Sequence, residues 1–221
     1  MASITSIDAD EFIEIVQPLL AAQDVNALYT TLRSHWSADQ ILSLLASPNA
    51  DARKVAAFAL GLVGTKCCVP KIAEQLKHED VIVNQMAEHA LWSIWFRCGS
   101  KEANNQLGRG AQALGRRDFD HAIEHFSNAV EIDPTFAEGY NQRAIVHYLQ
   151  ERYHDSIKDC KACIQLMPCH FGAWSGQGHC HAHLGQIRHA IASYEHALQI
   201  NPHLDCLREA VGEMRKALKD C

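Results

Sequence analysis

A 34-residue period in the second half of the chain constrains the fold more than any other feature of the sequence. Pro134, Pro168 and Pro202 recur at this period, and other residues of like chemistry share it without a gap. Each unit carries two amphipathic helical patterns and ends at a proline, because the residue before a proline avoids the helical region. The period predicts stacked helix pairs that bury their apolar faces against their neighbours. Other positions in this register are Ile132/Leu166/Ile200, Ile123/Ile157/Ile191 and Gly110/Ala144/Gly178.

The unit from Phe171 to Leu204 has the most informative residues, which are Trp174, Gly178, Ala190, Tyr194, Ala197 and Pro202. In this order of aromatic, small residue, alanine, aromatic, alanine and proline, the chain resembles the tetratricopeptide (TPR) family. The resemblance covers about residues 103–204 and implies three helix pairs. We expect Gly178 and Ala190 to let the two helices of a repeat approach closely, and Trp174 and Tyr194 to fill the space between repeats. The second unit departs from the pattern, with Ser156, Cys160 and Cys163 where the family has alanine, an aromatic and alanine.

Residues 204–219 predict a capping helix, because apolar residues form one stripe and charged residues occupy the opposite face. A terminal repeat needs such a polar outer face for solubility. The apolar stripe is Leu207, Val211, Met214 and Leu218, and the charged face is Arg208, Glu209, Glu213 and Lys216.

The first hundred residues have a different and shorter repeat, with a 31-residue offset. Ala56, Ala59 and Leu60 map onto Ala87, Ala90 and Leu91, and each helical pattern follows a shorter apolar one and a loop. This half resembles short HEAT-like repeats of the kind found in phycobilin lyases. Upstream, two further apolar patterns around residues 12–20 and 25–32 predict an N-terminal helical cap.

These patterns together predict an all-α, right-handed helical-repeat solenoid with HEAT-like helix pairs, three TPR helix pairs and a capping helix. We place an N-terminal domain at residues 1–98, a seam at 98–102 and a C-terminal domain at 103–221. We expect the two halves to pack as one continuous array.

Composition excludes several classes of function. The net charge is −6, which disfavours nucleic-acid binding, because phosphates need a basic stripe. The longest apolar runs fall short of the roughly 18 residues that cross a bilayer, and the acidic start lacks the order of a secretory signal. Nine cysteines, an odd number, indicate reduced thiols and a cytoplasmic protein.

Residues that could carry chemistry have simpler structural interpretations. Cys160 and Cys163 form a single C-x-x-C pair at positions that the repeat buries, so we expect them to act as small core residues. His179 and His183 share one helix face and could offer two imidazoles to a metal, but the glutamate of a zinc-protease motif is absent. Phosphate-binding loops and nucleophile elbows are also absent from the sequence. We therefore expect neither an enzyme, nor a cofactor, nor a metal site.

The resemblance to the TPR family implies that the first helix of each repeat lines a groove for a peptide or a partner helix. We expect His181 to point into the packing with His147, and His179 and His183 to face the groove. The cationic positions with which some TPR co-chaperones hold a terminal carboxylate correspond here to Leu107, Ala111, Gln142, Gly172 and Gly176, which argues against that ligand. The predicted groove residues are Asn104, Leu107, Ala111, Glu138, Asn141, Ile145, Tyr148, Ser175, His179 and His183.

The preferred hypothesis is a non-catalytic interaction scaffold that binds a protein or peptide and neither nucleic acid nor membrane. The alternative is an accessory protein for a cofactor or metal, either a lyase-like chaperone or a histidine- and cysteine-based metal binder. A third hypothesis is self-association through the ends of the array. The sequence does not name the partner.

Overall fold

The computed structural model describes residues 7–219, and in this range the chain forms α-helices and short 3₁₀ turns without a β-strand. The chain divides into two compact units, one ending at Trp95 and one beginning at Phe96. The prediction of an all-α fold is thereby confirmed for the described part of the chain. In the first unit the helices are α1 Ala9–Ala21, α2 Val25–His35, α3 Ala38–Ser43, α4 Ala50–Val63, α5 Val69–Glu74 and α6 Val81–Trp95.

Two helix pairs make up most of the first unit, and each pairs a short helix that ends in a 3₁₀ turn with a long one. The short helices are α3 and α5, and the long helices are α4 and α6. Ala56 and Ala87, which are equivalent in the 31-residue offset, are both fully buried. The helix α4 ends before Gly64, whose amide donates to the Leu60 carbonyl. The HEAT-like interpretation of these pairs stays a prediction.

Arg53 and Asn84 occupy equivalent positions of the two long helices and perform the same task with different side chains. Arg53 Nη1 donates to the carbonyl oxygens of Ser47 and Pro48, and Asn84 Nδ2 donates to the His78 carbonyl. Each side chain therefore satisfies a carbonyl of the loop before its own helix, where unpaired backbone groups would be costly.

The second unit consists of three helix pairs and one final helix, and the 34-residue period holds without deviation between its last two pairs. Each pair is two antiparallel helices joined by a short turn, and the turns contain Arg117, Glu151 and Gly185 at positive φ. The helices are α7 Lys101–Gly115, α8 Phe119–Ile132, α9 Ala137–Leu149, α10 Tyr153–Leu166, α11 Phe171–His183, α12 Ile187–Ile200 and α13 Asp205–Ala217.

Close packing within each pair depends on one small residue in its first helix. A Cβ added at Gly110 would lie 2.4 Å from Cε1 of Phe126, and a Cβ at Gly178 would lie 2.4 Å from Cδ1 of Tyr194. In the middle pair the equivalent residues are Ala144 and the smaller Cys160, which leaves room for a methyl group. The departure of the second unit from the aromatic pattern is therefore compensated within the same pair.

Arg143 joins three helices of the second unit. Its guanidinium donates to both carboxylate oxygens of Asp159 in α10, at 2.7 and 2.8 Å, and to Ser127 Oγ in α8, at 3.2 Å. A bidentate pair of this kind fixes orientation as well as adding energy. It holds α9 between the second helices of two successive pairs.

The loops between pairs are closed by a hydrogen bond that recurs with the repeat. Tyr140 Oη donates to the Pro134 carbonyl, and Trp174 Nε1 donates to the Pro168 carbonyl at 3.1 Å. Arg208 of α13 donates to the Pro202 carbonyl in the same register. The final helix therefore takes the place of the first helix of a further pair.

The structure corrects our expectation for Trp174. The side chain is only half-buried, and its ring stacks on His196 of the same pair, with centroids 4.3 Å apart. Tyr194, in contrast, is 2% exposed, and its ring packs closely on Gly178 of the same pair. Trp174 therefore seals a loop and one edge of its own repeat and does not fill the space between repeats.

Candidate functional site

A cluster of tyrosine and histidine rings lies on α9–α12 of the second unit. His183 Nε2 lies 2.8 Å from Tyr148 Oη, and the His183 ring stacks on Tyr153 with centroids 4.8 Å apart. His179 Nδ1 lies 2.8 Å from Tyr194 Oη, and its ring is 6.2 Å from that of Tyr148. We call these five residues the Tyr–His cluster. It brings together three of the predicted groove residues: Tyr148, His179 and His183.

Burial favours the neutral forms of His179 and of the three tyrosines in the cluster. Burial raises the pKa of Tyr148, of Tyr153 and, to about 12, of Tyr194, so the phenols stay protonated. One edge of the His179 ring is exposed, but the ring lies near two tyrosines. Desolvation lowers the pKa of His179, and the neighbouring His183 lowers it further by a smaller amount. A neutral imidazole has one donor and one acceptor, which suits hydroxyl partners.

An exposed apolar strip on α9 borders the Tyr–His cluster in sequence. Ile145 is 38% exposed and Leu149 is 49% exposed, and Tyr148 lies between them on the same helix. Residues three and four apart share one face of a helix, so these side chains form one surface. Such a surface can take apolar side chains of another molecule, while the imidazoles and hydroxyls beside it can form hydrogen bonds.

Three predicted groove residues are buried, and the structure corrects their assignment. Leu107 is 2% exposed and packs in the core with Phe126 and Phe136. Glu138 is fully buried and Asn141 is 3% exposed. None of the three can contact a partner. The helical register placed them on the first helix correctly, but it could not show that the neighbouring pair covers that part of the helix.

Glu138 is instead the centre of a buried network between the second and third pairs. Its Oε1 accepts from Asn141 Nδ2 at 3.2 Å and from Gln142 Nε2 at 2.6 Å, and its Oε2 lies 2.8 Å from His170 Nε2. His170 Nδ1 accepts from the Ala173 amide and caps α11, so a neutral ring carries its proton on Nε2 and donates to Glu138. The sequence analysis did not predict this network. A sequence feature that could have indicated it is the position of His170 directly before the helical pattern of α11.

The remaining predicted groove residues are partly exposed. Asn104 Nδ2 donates to the carbonyls of Arg97 and Gly99, which fixes the start of α7. Ala111 is half-buried without a polar group, and Ser175 Oγ donates to the Phe171 carbonyl. Tyr153 and Tyr194 were not among the predicted residues, although they belong to the cluster. They lie on second helices, which the register does not assign to the groove.

His147 and His181 are both buried, at 7% and 9% exposure. His181 Nδ1 lies 2.7 Å from Gln186 Oε1, and its ring stacks on His189. Desolvation lowers the pKa of both His147 and His181. These two imidazoles are packing residues, in agreement with their orientation expected from the sequence.

The cysteines of the C-x-x-C pair lie in the core. Cys160 is 1% exposed and Cys163 is fully buried. Burial raises the pKa of Cys160 to about 12 and that of Cys163 well above its ordinary value. The thiolate is the reactive form, so these buried thiols are poor nucleophiles and poor metal ligands.

Two further classes of site are absent from residues 7–219. This range contains no group of three or more His, Cys, Asp or Glu side chains that could hold a metal ion. Over the same residues, no helix has both the length and the apolar character that crossing a bilayer requires.

Comparison with known proteins identifies the repeat. A sequence profile described as tetratricopeptide repeat matches residues 171–204. The first TPR domain of Spaghetti (RPAP3), solved with the HSP90 peptide SRMEEVD, superposes with a TM-score of 0.53 at 20% identity and covers 54% of this chain and 95% of that one. Residues 171–204 match the tetratricopeptide repeat, and the superposition shows the fold of a TPR domain over 54% of the chain.

Two curated relatives match at low identity. Sperm-associated antigen 1 of Mus musculus is 24% identical over 156 residues, which are 68% of this chain and 17% of that protein. The Hsp70-Hsp90 organizing protein of Triticum aestivum is 28% identical over 115 residues, which are 52% of this chain and 20% of that protein. The chain thus spans about a fifth of the length of these relatives.

The TPR register also locates the positions at which cations would hold a terminal carboxylate. None of the five carries a cation here. Leu107 and Gln142 are buried, whereas Ala111, Gly172 and Gly176 are half-buried and offer no charged side chain. The TPR fold is therefore present without that particular ligand chemistry.

Proposed function

We propose that the TPR unit is a docking module that binds a segment of a partner protein, and that the chain is an adaptor without catalytic activity. The binding surface is the apolar strip Ile145–Tyr148–Leu149 together with the Tyr–His cluster. The partner is a protein or peptide, and neither nucleic acid nor a membrane binds there. We propose a cytoplasmic location.

The exposure of the strip is the observation that carries this proposal. Burying an apolar side chain contributes roughly 25 cal/mol of favourable free energy per Å² removed from water. The unbound protein lacks this contribution at the exposed parts of Ile145 and Leu149, and a partner that covers them would provide it. Contiguous exposed apolar patches rimmed by polar groups are typical of interaction sites. The imidazoles and hydroxyls of the Tyr–His cluster provide that rim and can bind a partner's backbone.

The comparisons support the same function at a coarser level. A neighbour in fold was solved with a bound peptide, and one relative is named as an organizing protein for Hsp70 and Hsp90. The cofactor- and metal-handling alternative has no comparable support, since residues 7–219 hold no metal-ligand cluster. Because the five positions for a carboxylate clamp carry no cation, we propose that the segment binds along its length and not by its terminal carboxylate.

Affinity capture from a native lysate tests the proposal. The double variant Ile145→Ser/Leu149→Ser removes the strip, and Ile132→Ser is the control because Ile132 is similarly exposed, at 44%, on the second helix of the first repeat. We expect a protein that wild type and Ile132→Ser retain and the double variant loses. Equal retention by all three would place the binding surface elsewhere and contradict the proposal.

A further inference from the structure

We infer that docking on the apolar strip is switched by pH through His179 and His183: a partner segment binds while both imidazoles are neutral and is released when they are protonated. This inference rests on the proposed function and names how that same surface is regulated. It follows from the place of the two imidazoles beside the strip, from their hydrogen bonds to phenols and from the lack of a paired carboxylate within residues 7–219.

The two imidazoles hold the same positions on α11 that the strip holds on α9. His179 lies 34 residues after Ile145, and His183 lies 34 residues after Leu149. Helices α9 and α11 are in contact, and Tyr148 joins the two sets of side chains. Its hydroxyl lies 2.8 Å from Nε2 of His183, and its ring lies 6.2 Å from that of His179. A segment that covers the strip therefore lies against the imidazoles as well.

The hydrogen bonds of His183 suit a neutral ring. Its Nε2 lies 2.8 Å from Tyr148 Oη, and its Nδ1 lies 3.3 Å from Tyr153 Oη. In a neutral imidazole one nitrogen donates and the other accepts, so one of the two phenols donates to it. An imidazolium donates from both nitrogens and accepts from neither, so that phenol would have to turn its O–H away. Protonation therefore changes the hydrogen bonding of the tyrosines that border the strip.

His179 is the more desolvated of the two sensing groups. Its Nδ1 lies 2.8 Å from Tyr194 Oη, and the two ring centroids are 5.2 Å apart. Desolvation lowers the pKa of His179 below its ordinary value of 6.5, and His183 lowers it further. The two imidazoles are four residues apart on one helix face, so they repel each other when both are charged. His179 is therefore neutral at pH 7.5 and takes up its proton only in mild acid.

Within residues 7–219, neither His179 nor His183 forms an ion pair with a carboxylate, in contrast to other histidines of the same unit. A carboxylate stabilises a charged imidazole, and its absence leaves the charge uncompensated. The histidines that do have a carboxylate within 4.0 Å form the pairs His121–Asp118, His147–Asp159 and His170–Glu138.

The groups that face the two imidazoles are neutral at pH 5.5 to 7.5. Two exposed carboxylates lie further out: Glu151 in the turn before α10 acts on Tyr153, and Glu213 is the equivalent of His179 on α13. Within residues 7–219 neither of them pairs with an imidazole. The facing groups are the phenols of Tyr148 on α9, Tyr153 on α10 and Tyr194 on α12, and the thiol of Cys180 among them.

The sign of the pH dependence follows from desolvation. A partner that covers an imidazole removes water from it, which disfavours the charged form. The complex therefore binds protons less tightly than the free protein, and binding must weaken as the pH falls. Each proton that has to leave before binding weakens the affinity by up to about tenfold per pH unit below the pKa of the free imidazole.

A peptide without titratable groups in this pH range is the probe. It is selected at pH 7.5 on the wild-type protein from a phage-displayed library of random 12-residue sequences built without Asp, Glu and His. Only a peptide that Ile145→Ser/Leu149→Ser fails to bind is used, so the probe reports on the strip. If the library yields no such peptide, both this inference and the proposed function are contradicted.

Fluorescence anisotropy then measures the affinity of the labelled peptide at pH 7.5, 6.5 and 5.5. Wild type is compared with His179→Gln/His183→Gln, because glutamine is neutral at every pH and retains a donor and an acceptor. The matched control is His121→Gln/His154→Gln, whose two histidines are exposed and lie outside the Tyr–His cluster. Circular dichroism verifies that each protein is folded at each pH.

Between pH 7.5 and 5.5, we expect the affinity of wild type and of the control to fall by at least about tenfold, and that of His179→Gln/His183→Gln by less than about threefold. A wild-type affinity that is unchanged or higher at pH 5.5 would overturn this inference and leave the proposed function intact. An equal loss in His179→Gln/His183→Gln would also overturn it, because the titrating group would then lie elsewhere.

A second measurement does not depend on peptide binding by the glutamine variant. Histidine is labelled with ¹³C, and the NMR signal of His179 is assigned by its absence from His179→Gln. Because linkage is reciprocal, saturating peptide should move the titration midpoint of His179 to lower pH. An unchanged or raised midpoint would overturn the inference, although the peptide still binds the strip.

Discussion

Gly178 lies against the Tyr194 ring so closely that a Cβ at this position would be 2.4 Å from Cδ1. Tyr194 is 2% exposed and its hydroxyl is hydrogen-bonded to His179, so the ring has no free space into which it could move. One glycine therefore fixes both the approach of α11 to α12 and the position of a side chain in the Tyr–His cluster. Packing of the repeat and geometry of the binding surface are coupled through this contact.

Gly178→Ala is expected to destabilise the protein by about 1–3 kcal/mol, because overpacking a tight core outweighs the gain of about 1 kcal/mol in helix propensity. Gly212→Ala is the matched control, since it is also helical but faces open space, and it should stabilise by up to about 1 kcal/mol. Urea unfolding measures both changes. Equal midpoints for the two variants would mean that α11 and α12 are not as close as described.

Glu138→Gln is expected to lower the free energy of unfolding by about 1–3 kcal/mol. The glutamine has an NH₂ group where the glutamate has one of its two oxygens, and this donor would face either the His170 N–H or the amide donors of Asn141 and Gln142. Glu131→Gln makes the same chemical change at an exposed position of α8 and should have almost no effect. Thermal or urea unfolding provides the comparison. A neutral result for Glu138→Gln would remove the buried network from the account of how the second and third repeats are joined.

Trp174→Ala is expected to lower the free energy of unfolding by about 1–3 kcal/mol, whereas removing a fully buried tryptophan ring costs about 3–5 kcal/mol. The loss is smaller because the ring is only half-buried, and it comes from the stack on His196 and the hydrogen bond to the Pro168 carbonyl. Trp174→Phe retains most of the stack and separates the two contributions. If chemical denaturation shows a loss of more than about 4 kcal/mol, the half-buried position is contradicted and the buried position expected from the repeat pattern is supported.

Stability should fall as the pH is lowered from 7.5 to 5.5. His147, His179 and His181 have pKa values lowered by burial, so below the ordinary value of 6.5 the unfolded chain binds more protons than the folded one. His121 acts in the opposite direction, because Asp118 raises its pKa, but this pair is exposed to solvent. Replacing His147 and His181 by Gln should flatten the dependence of the urea midpoint on pH, and an equally steep dependence in that variant would contradict the assignment.

The sequence predicted the helix pairs well because their period is a local property of the chain. The 34-residue period places Gly178 and Ala190 without knowledge of any contact, and the small pair Ala144 and Cys160 was visible as a departure from the pattern. A helix within residues 204–219 was also predicted from the apolar stripe opposite the charged face, and α13 is that helix. The resemblance to the TPR family rested on these local features alone.

The binding surface was predicted less completely because it depends on neighbouring repeats. Register alone assigned Glu138 and Asn141 to the groove, whereas both are buried and His170, which precedes α11, lies against Glu138. Tyr153 and Tyr194 belong to the Tyr–His cluster but lie on the second helices of their pairs. The repeat register assigns only first helices to the groove, so it could not predict them. Side-chain length and the packing of the following repeat decide these cases, and both require coordinates.

Site-specific photo-crosslinking tests most directly whether a partner binds on the apolar strip. A photoreactive phenylalanine analogue is placed at Leu149, which is 49% exposed in the strip, or at Ile132, which is 44% exposed on α8 as a control. After irradiation in native lysate, the Leu149 protein should form a discrete crosslinked species that the Ile132 protein lacks and that Ile145→Ser reduces. Crosslinking only from Ile132, or equally from both positions, would contradict a docking surface on the first helices of the TPR unit.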